Sequence, residues 1–115
     1  MSEKINLPEL TDKKFKEEVL EHSGLVLVEF VAKWCGYCRI ISSTMEQLVV
    51  DYQGKIRLFK LDVDQNRKTA SEYVIHNLPT IVFFKNGKIV DRITGVFPMR
   101  VITEKLNSLL EPSDE

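Results

Sequence analysis

Residues 25–38 read LVLVEFVAKWCGYC, and this run decides how the chain folds. Leu25 to Ala32 is apolar at every position but Glu29. A short run apolar on both alternating faces predicts a central strand covered on both sides. The run ends in Trp34-Cys35-Gly36-Tyr37-Cys38, which holds the only two cysteines of the 115 residues. Ile41, Met45, Leu48, Val49 and Tyr52 then recur at helical spacing, so a helix of about four turns is expected to start near Cys35. Cα atoms three apart on a helix are about 5 Å from one another, inside the roughly 4.4–6.8 Å window of an unstrained disulfide. Such a pair can close and reopen with little backbone motion. A purely structural staple is disfavoured, because a bridge across so short a loop removes little unfolded-state entropy.

Working outward, Thr11 has the chemistry of an N-cap, and Leu10 and Phe15 stand at the positions of a hydrophobic staple. Phe15, Val19 and Leu20 give the helix that follows an apolar side, and Gly24 can end it. Downstream, Ile56 to Val63 reads as a second buried strand. A short helix is expected around Lys68 to Tyr73, with Asn66 as its cap. After Pro79 the pattern becomes β-rich. Thr80 to Lys85 and Lys88 to Thr94 are joined by Asn86-Gly87, whose residues tolerate the positive φ of a tight hairpin. Pro98 suits the first turn of a last helix, striped by Met99, Ile102, Leu106 and Leu109. The order is a βαβ unit, a short helix, a hairpin and a helix. It predicts an α/β domain with a mixed central sheet flanked by helices on both faces.

The chain is of one-domain length, with the domain over residues 1–110 and a frayed acidic tail over 111–115. At 43% hydrophobic it can bury a core without crosslinks. Its formal net charge of −1 provides no basic field for nucleic acid or a membrane surface. Met1 to Pro8 lacks the apolar core of a signal peptide, and Leu25 to Ala32 is too short to span a bilayer. Two cysteines are too few for a secreted disulfide framework, so a reducing cytoplasm is expected. There a Cys-x-x-Cys is more often catalytic or metal-binding than structural. His22 and His76 read as loop histidines whose spacing to the cysteines does not suggest zinc, so no metal site is expected.

Several separate segments agree with a known pattern. Phe30, Ala32 and Trp34 lead into Cys35, and Leu58-Phe59-Lys60-Leu61-Asp62-Val63-Asp64 supplies a strand in which Lys60, taken alone, reads equally as an alternating surface lysine. Leu78-Pro79-Thr80, Phe84-Lys85-Asn86-Gly87 and Gly95 follow. Together they resemble the thioredoxin family over nearly the whole chain, from the Thr11 helix to Leu110. The resemblance implies the thioredoxin fold and a cis-proline at Pro79 facing the cysteines. It also implies a substrate surface drawn from Trp34, Gly36, Tyr37, Leu78, Pro79 and Gly95. It places a proton acceptor at Glu29 and a modulating ammonium at Lys60. The sequence departs from the family at four places. Tyr37 replaces the usual proline, Val31 a frequent tryptophan, Glu29 a buried aspartate, and Ser43 a proline that kinks the helix.

The residues themselves assign the chemistry. Cys35 at a helix N-terminus meets unpaired N–H groups and the positive end of the dipole, which lower a thiol pKa from about 8.5 toward 7. It is the expected nucleophile, and Cys38, one turn inward, the resolving thiol. Glu29 shares a strand face with Leu25 and Leu27, so burial should make it hold its proton tightly. Lys60 shares a face with Ile56 and Leu58. Tyr37 restores an N–H that proline lacks, which should stabilise the Cys35 thiolate and make the pair less reducing.

The expected function is reduction of protein disulfides through a reversible Cys35–Cys38 disulfide. A thioredoxin reductase would be the electron donor, no bound cofactor is expected, and the protein would be a monomer. Two alternatives stay open: a disulfide oxidant or isomerase on the same fold, and a thioredoxin-like binding module whose cysteines are incidental.

Overall fold

The computed structural model describes residues 7–111. Its strands are β1 (Leu25–Val31), β2 (Ile56–Asp62), β3 (Thr80–Lys85) and β4 (Lys88–Thr94). Its α-helices are α1 (Gly36–Asp51), α2 (Arg67–Glu72) and α3 (Met99–Leu110). The sheet order is β2-β1-β3-β4, with β1 parallel to β2 and antiparallel to β3. The apolar run beginning at Leu25 is thus an interior strand, buried from Leu25 through Phe30. Its alternating side chains build two cores. Leu25 and Leu27 pack with Ile41, Met45 and Leu48 of α1 and Ile102 and Leu106 of α3. Val26, Val28 and Phe30 pack on the other face with Phe15, Val19 and, after α2, Tyr73 and Ile75. The expected mixed sheet with helices on both faces is the observed one.

The hairpin forms where turn chemistry placed it. Asn86 and Gly87 have φ of 53° and 81°. Gly24 N donates to Asn86 Oδ1 at 2.8 Å, which ties the turn to the loop entering β1. A Cβ at Gly87 would collide with the Leu20 carbonyl, so this turn requires glycine.

Three local expectations need adjustment. Thr11 Oγ1 does accept from Lys14 N at 3.3 Å, as a cap should. The helix it opens then widens into a π turn over Lys16–Leu20, closed by Glu21 N donating to Lys16 O at 2.9 Å. Of the expected apolar side, Phe15 and Val19 are buried, whereas Leu20, at the end of the π turn, is exposed. Asn66 stands at the N-cap of α2 without capping it. Its carboxamide instead accepts from Asp12 N at 2.9 Å and donates to Asp62 O at 3.0 Å. Asp12 Oδ1 takes over the capping, accepting from Thr69 N at 2.9 Å. Finally, β2 lies on the outside of the sheet and is buried only at Leu58, Phe59 and Leu61. Pro8 to Leu10 runs along it: Lys60 N donates to Pro8 O at 3.0 Å, and Leu10 N donates to Lys60 O at 2.8 Å. The tail expected over 111–115 lies, apart from Glu111, outside the described residues.

Candidate active site

β1 delivers the chain to the site, and α1 starts inside it. Cys35 is the N-cap of α1, with extended φ and ψ of −88° and 105°. Its Sγ accepts from Cys38 N at 3.2 Å, the use to which capping oxygens are normally put. Cys35 and Cys38 are joined in a disulfide, with Cα atoms 5.4 Å apart. That is close to the separation expected of positions three apart on a helix. Ala32 clusters with the two cysteines, and Val31, Val63 and Leu78 pack against the three. Exposure does not distinguish the cysteines, at 7% and 4%. Helix position does, since Cys35 stands at the cap where unpaired N–H groups converge.

The Leu78–Pro79 bond is cis, as the resemblance implied. Pro79 O accepts from Gly95 N at 2.8 Å, so the proline loop is tied to the end of β4. Gly95 has φ of 100° and open space where a Cβ would project. Trp34 is 71% exposed and Tyr37 67% exposed, so neither fills the core. The indole of Trp34 is held rather than free: Nε1 donates to Asp64 Oδ2 at 2.8 Å.

Glu29 is fully buried in the sheet face beneath α1. Burial raises its pKa from 4.5 to about 7, with Glu46 adding to the rise, while the Ser42 hydroxyl and the Lys60 charge oppose it. Ser42 Oγ lies 3.4 Å from Oε2, and Oε1 has no hydrogen-bond partner among the described residues. Lys60 is the register partner of Glu29 on β2. A cleft of about 320 Å³ opens beside the disulfide, and Cys35, Cys38, Ser42, Lys60, Lys33 and Arg39 are among the residues that line it.

A redox disulfide at a helix cap, a cis-proline loop and a buried acid in one place match one family throughout. The thioredoxin family model covers residues 6–108. The chain belongs to the thioredoxin family. It is 42% identical over 99 residues to thioredoxin of Chlorobaculum thiosulfatiphilum, covering 86% of this chain and 92% of that one. It is 39% identical over 103 residues to thioredoxin of Synechocystis, covering 90% and 96%. A Staphylococcus aureus thioredoxin is 42% identical over 101 residues, covering 88% and 95%. The chain is accordingly a thiol–disulfide oxidoreductase, a disulfide reductase of thioredoxin type.

Within this thioredoxin frame, most of the residues picked from sequence converge. Leu78 packs against the cluster that holds Cys35 and Cys38, and Pro79 is hydrogen-bonded to Gly95. Lys60 lines the cleft at the cysteines and neighbours Glu29 along the ladder, but no ion pair among the described residues joins the two. The N–H aimed at Cys35 Sγ belongs to Cys38 rather than to Tyr37. Ser43 is an exposed residue inside an unbroken α1, so the helix runs through the position where a family proline kinks it. Three contributors were missed: Ser42, Asp64 and Glu46. Ser42 stands four residues after Cys38 and so on its helix face, a signal the sequence did contain. Asp64 carries no local sign of its partner 30 residues away. His22 and His76 lie in loops. Among the described residues no group of three or more His, Cys, Asp or Glu is arranged to hold a metal ion, and no helix is long and apolar enough to cross a membrane.

Proposed function

We propose that Cys35 is the nucleophile of a protein-disulfide reductase, Cys38 its resolving partner and Glu29 the proton acceptor. The observation that carries this reading is the placement of Cys35 Sγ at the N-cap of α1, bonded to Cys38. In the reduced protein, the Cys35 thiolate attacks one sulfur of a substrate disulfide. A Cys35–substrate disulfide forms, and the other substrate sulfur leaves as a thiolate that takes a proton from water. Glu29 then accepts the Cys38 proton. The Cys38 thiolate attacks Cys35 Sγ, closing the internal disulfide and releasing the second substrate thiolate. Two electrons have passed from the cysteine pair to the substrate.

Trp34, Gly36, Tyr37, Leu78, Pro79 and Gly95 form the surface that receives the substrate chain. Trp34 and Tyr37 supply exposed aromatic area, and Gly95 leaves room for backbone to approach. Lys60 moderates the proton affinity of Glu29 by its charge. A thioredoxin reductase, an NADPH-dependent flavoprotein, returns the two electrons. The protein works as a monomeric single domain over residues 1–110 in the cytoplasm, with no bound cofactor, nucleic acid or membrane.

The test is Cys38→Ser. This variant should accumulate mixed disulfides on Cys35 with protein substrates and lose multiple-turnover insulin reduction. Trapping on residue 38 in a Cys35→Ser protein, with none on Cys35 in the first variant, would reverse the assignment.

A further inference from the structure

Ser42 sits where two demands meet. Its Oγ lies 2.8 Å from the carbonyl oxygen of Cys38, one helical turn back, and 3.4 Å from Glu29 Oε2. A serine hydroxyl has one proton and so donates to one of these oxygens at a time. The shorter contact is to Cys38. In that arrangement an Oγ lone pair remains to accept from a protonated Glu29. Once Glu29 is ionised it has only acceptors, and the same proton must turn toward it. The Cys38 carbonyl then keeps only its ordinary helical partner.

No other hydrogen bond to the Glu29 carboxylate is made by the described residues, since Oε1 is unpartnered and Oε2 meets only Ser42. Ser42 lines the cleft beside the cysteines, whereas Glu29 is fully buried and does not reach it. The hydroxyl is therefore the polar contact between the buried acid, the turn of helix bearing Cys38 and the solvent-accessible cleft. Each other element at this point contributes charge without a hydrogen bond or contributes none. Lys60 of β2 and Glu46 of α1 act through space, and the β3 register partner is Ile81.

We propose that Ser42 is a positioning residue for the redox reaction: its hydroxyl switches between the Cys38 carbonyl and the Glu29 carboxylate, and so sets how readily Glu29 takes up and returns the resolving proton. The proposal rests on the assignment of Glu29 as proton acceptor. The hydrogen bond from Ser42 lowers the proton affinity that burial raises, so its loss acts in a known direction. Without it, the ionised acid is less stable and its titration moves to higher pH.

Two readouts test this. One is a carboxyl NMR titration of Glu29 in the oxidised protein. The other is the pH profile of resolution, followed by stopped-flow release of thionitrobenzoate from Cys35 after the reduced protein meets dithiobis(nitrobenzoate). Ser42→Ala should move both midpoints upward by roughly one pH unit, the scale of a hydrogen bond to a charged group. Ser42→Thr, which keeps the hydroxyl, should restore the wild-type midpoints. Glu29→Gln should abolish the corresponding step in the rate profile, and adding Ser42→Ala to it should change nothing more. Wild-type midpoints in Ser42→Ala would overturn the switch while leaving Glu29 in place. An unaltered rate profile in Glu29→Gln would remove Glu29 from resolution, and the switch with it.

Discussion

Glu29 and Lys60 are paired in register across the parallel β1–β2 ladder, yet they form no ion pair among those of the described residues. Glu29 is fully buried and Lys60 only partly so. Attraction from Lys60 lowers the proton affinity of Glu29, but burial outweighs it.

Stability should consequently depend on pH in an unusual sense for a carboxylate. The folded-state pKa of about 7 lies above the ordinary 4.5. Between those values the folded chain keeps a proton that the unfolded chain has lost. The favourable contribution is full below the unfolded value and disappears as pH rises through the folded one, amounting to about 3 kcal/mol. Asp91, held low by its hydrogen bond from Lys105, acts oppositely and loses its contribution as pH falls. The difference between wild type and Glu29→Gln isolates the Glu29 effect. Urea denaturation near pH 4.5, 6 and 8 should show wild type losing about 3 kcal/mol relative to the variant over this range. A constant difference would contradict the buried, proton-retaining Glu29.

Trp34 is the only tryptophan, so its fluorescence reports on the site alone. Asp64→Ala removes the acceptor of its indole N–H. Emission anisotropy should fall as the ring gains freedom. Because one exposed hydrogen bond is worth roughly 0.5–1.5 kcal/mol, kcat/KM for a protein disulfide should drop about twofold to tenfold. Reduction of a small aromatic disulfide, which makes little use of the surrounding surface, should be unchanged. Equal losses on both substrates would mean that Asp64 acts on the sulfurs instead.

Val74 has φ of 55°, a left-handed conformation that a β-branched residue rarely adopts. It is 56% exposed, so little packing offsets the strain. Arg92 holds the turn from outside, donating to the carbonyls of Tyr73 and Val74. Val74→Gly relieves about 1–2 kcal/mol of steric cost and adds about 0.5–1 kcal/mol of chain entropy. A net stabilisation of roughly 0.5–1 kcal/mol is expected, read as a higher denaturant midpoint with unchanged slope.

Tyr37 is in the first turn of α1, where its N–H adds to the positive field at Cys35. The direct donor to the sulfur is Cys38 N, so Tyr37 acts through the field alone. The Cys35–Cys38 potential should lie above the roughly −270 mV characteristic of thioredoxins, toward about −180 mV. Tyr37→Pro deletes one donor and should shift it about 30 mV more reducing, measured against a glutathione buffer. A less reducing Tyr37→Pro protein would refute the argument.

The parts of this molecule that follow from neighbouring residues were legible in the sequence. The apolar run from Leu25, the Asn86-Gly87 turn and the three-residue cysteine spacing each encode local geometry, and β3 and β4 appear with the expected bounds. Glu29 was legible too, because a lone acid in a two-sided apolar strand has nowhere to go but inward. What stayed hidden depends on partners far away in the chain. Asp12 caps a helix 57 residues downstream, and Asn66 is drawn off by it. The Trp34–Asp64 bond joins two loops whose approach is set only by the finished sheet. Ser42 was near enough to read, but its hydroxyl has meaning only once the Glu29 carboxylate is placed beneath α1.

The short segment against β2 bears on company the protein must keep. A disulfide reductase meets extended and partly unfolded chains by trade, and a bare strand margin is a template on which such chains can add. Pro8 to Leu10 occupies that margin at Lys60, within the strand lining the active-site cleft. Clients there find the backbone groups of Lys60 already taken. On the opposite margin, Lys88, Asp91 and Arg92 flank the exposed Ile89 and Val90 with charge, which discourages stacking by other means. Under the proposed mechanism, blunted edges leave the cysteine surface for substrates, where the bond formed would be covalent and reversible, rather than margins where aggregation would be neither specific nor easily undone.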